Sequence, residues 1–127
     1  MTTNKAIQTV LAPQAVGPYS QAIRTEGLVF VSGQIPLDPG SGELIEGDIA
    51  AQTRQCLRNI QAILEVANSS LAQVAKITVF LADINDFAAM NAAYAEFFPN
   101  DPPARSAFQV AALPKGARIE IEAIATL

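Results

Sequence analysis

The chain has 127 residues, with eight Lys plus Arg, twelve Asp plus Glu, one Cys and no His, giving a net charge of −4 and a pI near 4.6. That length suits one domain with its own core, so residues 1–127 are expected to form a single domain. The scattered basic residues exclude a phosphate-backbone grip, the missing histidine removes the commonest general base and metal ligand, and a lone Cys56 excludes an intrachain disulfide.

Residues 5–10 alternate in polarity and predict a short strand, followed by breakers at Pro13 and Gly17-Pro18. Ser20 to Arg24 predicts a second strand, and Glu26-Gly27 a turn. Leu28 to Val31 is a continuous apolar run, which predicts a buried strand ending at Ser32-Gly33-Gln34. A turn-rich loop spans Asp38 to Gly42. From Asp48, a plausible N-cap, the period becomes helical: Ile49, Cys56, Ile60, Ile63 and Ala67 share one face, flanked by Leu57 and Leu64. Asn68-Ser69-Ser70 ends that helix. Val74 to Ala82 predicts a central strand. A second helix is predicted from an Asp86 cap, with Phe87, Met90, Tyr94, Phe97 and Phe98 on its apolar face and Pro99 as its stop. Two strands close the chain, at about 105–111 and 118–126. The order is β-β-β-α-β-α-β-β, an α+β arrangement.

Two helices are too few to cover both faces of a six-stranded sheet. Only 16% of the residues are charged, against roughly 25% in an ordinary soluble domain. Both observations predict an oligomer in which another subunit covers the open sheet face. The chain shows no secretory signal and no apolar stretch near the roughly 18 residues of a membrane span. A soluble cytoplasmic protein, with no nucleic acid or membrane partner, is expected.

Arg105 follows Pro102-Pro103-Ala104, which restrict the approach of the chain. Its guanidinium offers a fork that matches a carboxylate, although a surface ion pair is the ordinary alternative. Glu120 and Glu122 share one face of the last strand while Ile119, Ile121 and Ala123 share the other, and either carboxylate could polarise a water. Tyr19 follows a rigid Gly17-Pro18 turn and carries a hydroxyl beside an apolar ring, as a core tyrosine also would. Ser32 and Gly33 end a strand with a hydroxyl and a residue that permits close backbone approach. Asn91 lies between Phe87 and Tyr94, where an amide needs partners and can orient a ligand or tie down a loop. Cys56 sits in a helical apolar pattern and reads as a structural thiol. The set offers an anion grip, hydrogen bonders and carboxylates, without covalent or metal chemistry.

Several segments in order carry a resemblance: Gly17-Pro18-Tyr19-Ser20-Gln21-Ala22, Val31-Ser32-Gly33-Gln34-Ile35-Pro36, Asn91-Ala92-Ala93-Tyr94, Pro103-Ala104-Arg105-Ser106 and Ile119-Glu120-Ile121-Glu122-Ala123. Together they resemble the RidA (YjgF-like) family of enamine/imine deaminases over nearly the whole chain. The resemblance implies a chorismate-mutase-like fold, with a six-stranded mixed sheet and two helices packed on one face. It also implies a homotrimer with sites between subunits, a 2-imino acid substrate hydrolysed to a 2-keto acid and ammonia, and no cofactor or metal. It places the substrate-carboxylate arginine at Arg105 and the water-activating glutamate at Glu120 rather than Glu122. Tyr19 and Ser32 match pocket residues, Gly33 the backbone lining the site, and Asn91 a supporting asparagine. Arg105 is expected to act with Tyr19 of a neighbouring chain. Binding of small acids without turnover, or a chaperone-like role, is the other implied reading. Two departures stand out: Ala107 replaces a cysteine common in relatives, and the Pro99 to Ala104 segment is short.

Overall fold

The computed structural model describes residues 4–127; the first three, part of the amino-terminal stretch scanned for a targeting signal, lie outside the described residues. Its strands are β1 (Lys5–Ile7), β2 (Ala22–Thr25), β3 (Leu28–Gln34), β4 (Val74–Leu81), β5 (Ala104–Gln109) and β6 (Ile119–Thr126). Its helices are α1 (Ile49–Val66) and α2 (Phe87–Ala95). The six strands form one sheet in the order β1-β2-β3-β6-β4-β5. Only the β4–β5 pair is parallel, joined by a crossover through α2; the other pairs are antiparallel. The expected element order and the mixed α+β sheet are therefore both present.

Helix α1 begins where expected, with the Asp48 carboxylate accepting from the Ala51 amide at 2.9 Å. At its other end Asn68 adopts φ 63°, and the Ser69 and Asn68 amides donate to the Leu64 and Glu65 carbonyls. This is a Schellman closure with asparagine in the left-handed position. The predicted face is fully used: Cys56, Leu57, Ile60, Ile63, Leu64 and Ala67 are all inaccessible to solvent. They meet Val29 and Val31 of β3, Ile77, Val79 and Leu81 of β4, and Ile119 and Ile121 of β6 in one apolar core.

Four expectations change. The first strand stops at Ile7, because the Gln21 side chain takes over the backbone beyond it, accepting from Thr9 N at 2.7 Å and donating to Thr9 O and Pro13 O. The Leu28–Val31 run is not buried on both faces: Val29 and Val31 point into the core, while Phe30 is 42% exposed on the opposite side. Asp86 makes no side-chain cap to α2. A short 3-10 turn precedes the helix, and the Asp86 carboxylate instead accepts from Arg118 at 3.1 Å. Finally, α2 ends at Ala95, four residues before Pro99; Phe97 and Phe98 lie in tightened turns that donate to Tyr94 O and Ala95 O. Phe98 is nonetheless buried, so the packing assigned to it survives outside the helix.

Candidate active site

Arg105 is the second residue of β5, an edge strand, and lies beside Ile77 of β4 in the parallel register. Ile77 faces the helices, and so does Arg105. Its Nη1 donates to Asn91 Oδ1 at 2.7 Å. Its guanidinium carbon lies 4.7 Å from the centre of the Tyr94 ring and 5.6 Å from that of Phe87. Phe87, Asn91 and Tyr94 are spaced i, i+4, i+7 on α2, which places them along one helix face. Among the described residues the two side-chain ion pairs are Arg54–Glu96 and Arg118–Asp86, so no carboxylate neutralises Arg105. A cleft of about 430 Å³ opens here, walled by Asn91, Tyr94, Phe98, Pro102, Pro103 and Arg105. Ala107 follows on the same face, packed against the core.

Glu120 sits in the second position of β6, the strand between β3 and β4, opposite Phe80. Ile119 and Ile121 on either side are fully buried toward the helices, so alternation sends Glu120 and the more exposed Glu122 to the open face. The β3–β6 register shifts between Val31 and Gln34, a bulge that sets Gly33 beneath the carboxylate. A Cβ on Gly33 would come 2.8 Å from Glu120 Cδ and closer still to Oε2, so a side chain here would displace the carboxylate. Burial, followed by the like charge of Glu122, holds the Glu120 carboxyl above its ordinary value. Glu120 lines a cleft of about 340 Å³ with Tyr19, Gly33, Val16, Ile35 and Lys115.

Tyr19 stands on the loop after Gly17, whose φ of 126° only glycine adopts readily, and is 52% exposed. The Ser32 hydroxyl donates to Ser20 O at 2.6 Å and its amide to Gln21 O, pinning the Tyr19 loop to the end of β3. Cys56 is wholly buried, and desolvation pushes its thiol well above the usual range, so it is no nucleophile. Among the described residues no group of three or more His, Cys, Asp or Glu could hold a metal ion, and no helix is long and apolar enough to cross a membrane.

Within one chain the candidate residues thus fall into two groups. Arg105 and Asn91 face the helices at the β5 edge; Glu120, Gly33 and Tyr19 lie around the open face. The resemblance assigns Arg105 and Glu120 to one site, and within a single chain the register puts them on opposite sides of the sheet. The sequence reading assigned Phe87 and Tyr94 simply to an apolar helix face. Their spacing around Asn91 was the available signal that they serve a polar neighbour.

The sequence profile of the family described as Endoribonuclease L-PSP matches residues 9–127. A RutC family protein of Pyrococcus horikoshii is 56% identical over 121 residues, 95% of this chain and 96% of that protein. The Bos taurus protein named 2-iminobutanoate/2-iminopropanoate deaminase is 51% identical over 121 residues, 95% of this chain and 88% of its own length. The crystal structure of E. coli TdcF with bound serine superposes with a TM-score of 0.93 at 45% identity, covering 97% of this chain and 98% of that one.

Proposed function

The chain belongs to the Endoribonuclease L-PSP family, the group that includes RidA and YjgF-like proteins, and within it we propose that this protein hydrolyses reactive 2-imino acids. Its substrates are 2-iminobutanoate and 2-iminopropanoate, the products the corresponding 2-keto acids and ammonia. The observation that carries the reading is the 51% identity, along nearly the whole chain, to a protein named for that reaction. The geometry supports it with an uncompensated guanidinium suited to a carboxylate and a desolvated carboxylate suited to a proton.

Arg105 takes the substrate carboxylate through its remaining N–H groups. Glu120, ionised, accepts a proton from water as the oxygen attacks the imine carbon. Glu120 returns that proton to the nitrogen, giving the carbinolamine; its hydroxyl proton then passes through Glu120 to the same nitrogen as the C–N bond breaks, so that the C=O bond forms, ammonia leaves and Glu120 is again ionised. Holding the carboxyl above its ordinary value makes the ionised Glu120 a stronger base than a solvated glutamate. Tyr19, Ser32, the Gly33 backbone and Asn91 position the substrate. No cofactor or metal is called for, because the free imine is already an electrophile and positioning suffices.

The two groups of residues meet between subunits of a homotrimer, the β5 edge of one copy against the Tyr19 loop and open face of the next. Exposed Phe30 and Phe108 on that face, and Val16 at 82% exposure beside Tyr19, are the surfaces such an assembly would cover. A cytoplasmic location is part of the proposal, since a single buried thiol calls for no oxidising compartment. The test couples an amino-acid dehydratase, which releases the imine, to this protein and follows keto-acid formation. Acceleration over the dehydratase alone is expected; an unchanged rate with the protein trimeric sinks the proposal.

A further inference from the structure

We propose that Phe87 and Tyr94 are positioning residues for Arg105, forming with Asn91 an aromatic cradle that fixes the guanidinium while leaving its charge unneutralised. The inference rests on the reading of Arg105 as the carboxylate anchor. Three observations carry it.

The first is the distances: both ring centres lie within 6 Å of the guanidinium carbon, the range in which a ring quadrupole attracts a cation. The second is what is missing. A half-buried arginine usually gains a carboxylate partner, and among the described residues Arg105 has none; its hydrogen-bond acceptor is the neutral Asn91 amide. A carboxylate there would occupy the fork and cancel the charge that a ligand carboxylate needs. Rings hold the plane without competing for its N–H groups, so four of the five donors stay available.

The third observation concerns the tyrosine itself. Tyr94 is buried, and its hydroxyl has no hydrogen-bond partner among the described residues. A phenol kept there without a partner is retained for its ring, or for an acceptor that arrives with the assembled site. Tyr94 also stacks at 4.8 Å on Phe98, which walls the same cleft, so the ring is itself held in place. The i, i+4, i+7 spacing on α2 lets one helix face present all three groups to one strand residue.

The cradle acts on binding of the carboxylate, so its loss appears in KM rather than in kcat. The experiment measures 2-ketobutyrate affinity by calorimetry and steady-state turnover in the coupled assay for Y94L, F87L, Y94F and R105A, with trimer content checked for each. Y94L and F87L are expected to weaken 2-ketobutyrate binding and raise KM by about tenfold, with kcat falling by less than about threefold. Y94F should recover most of the affinity lost in Y94L. If Y94L does not fold, F87L, at a half-buried position, carries the same expectation. Trimeric F87L and Y94L that keep full affinity while R105A has lost it overturn the cradle and leave the anchor standing. An R105A that binds 2-ketobutyrate normally overturns the anchor itself, and the cradle with it. A Y94F as weak as Y94L shifts the role from the ring to the hydroxyl and overturns the proposal as stated.

Discussion

The β5 corner and the β6 centre of the sheet treat charge in opposite ways. At the β5 corner a cation is surrounded by two aromatic rings and a neutral amide, which hold it without neutralising it. At the β6 centre an anion is desolvated against Gly33 and crowded by a second carboxylate, which makes it reluctant to ionise. Placed side by side in one chain, Arg105 and Glu120 would form an ion pair, the arginine losing its capacity for a substrate carboxylate and the glutamate its basicity. The sheet prevents this by directing them to opposite faces. Each corner therefore keeps its charge available, as the proposed site between subunits requires.

Removing the cation is expected to have the largest effect. Arg105→Ala should cost at least about a hundredfold in kcat/KM, since it deletes the charge-assisted contact proposed for the substrate carboxylate. Sedimentation should find the variant in the same assembly as the unsubstituted protein; a variant that keeps turnover would break the comparison at its first term. Removing the anion tests the second. Glu120→Gln should lower kcat by about a hundredfold or more while 2-ketobutyrate binding persists, separating a catalyst from a protein that only binds small acids.

The pH dependence follows from the same residue. In the proposed mechanism Glu120 works ionised, and its carboxyl is raised, so activity should fall as pH drops through that raised value, and the Gln variant should lose this acid limb. The stability effect has the opposite sense. A carboxyl raised on folding favours the folded state fully below the unfolded glutamate value and loses that contribution as pH rises through the folded value. Glu120→Gln should therefore raise the melting temperature at neutral pH, and the gain should vanish in acid; a lower melting temperature at pH 7 would contradict the burial-dominated origin of the shift.

Gly33→Ala sharpens the comparison from the support side. Its Cβ cannot coexist with the Glu120 carboxylate as placed, and the atoms it meets are the end of a flexible side chain that can swing aside, so the variant should lose about tenfold in kcat with little change in a denaturant melt and with affinity less affected. The smallest effect is expected from Glu122→Gln. Removing the second carboxylate lowers the Glu120 value, so the acid limb of the pH–rate profile should move to lower pH with little change in maximal rate. An unmoved limb would assign the shift to burial alone.

Much of this was legible in the chain. The 3.6-residue period of Ile49 to Ala67 and the Asp48 cap specify α1 because both act within a few residues of one another. The alternation of Ile119 to Ala123 places Glu120 and Glu122 on one face for the same reason. The missing histidines and single thiol narrowed the chemistry before any fold was known. Less was legible where a distant partner decides. Phe30 reads as core in an apolar run, yet the pleat turns it to the open face because Val29 and Val31 take the inner one. Asp86 reads as a helix cap, yet Arg118, thirty-two residues on, claims its carboxylate.

By itself, the sequence determined which side chains share a face within each element, since that parity is set by backbone geometry alone. Only the tertiary structure decided which faces meet. The parallel register that sets Arg105 beside Ile77, and the antiparallel register that sets Glu120 beside Phe80, are long-range pairings. A one-residue slip in either would reverse a face, so no local pattern could place Arg105 against the α2 aromatics and away from Glu120.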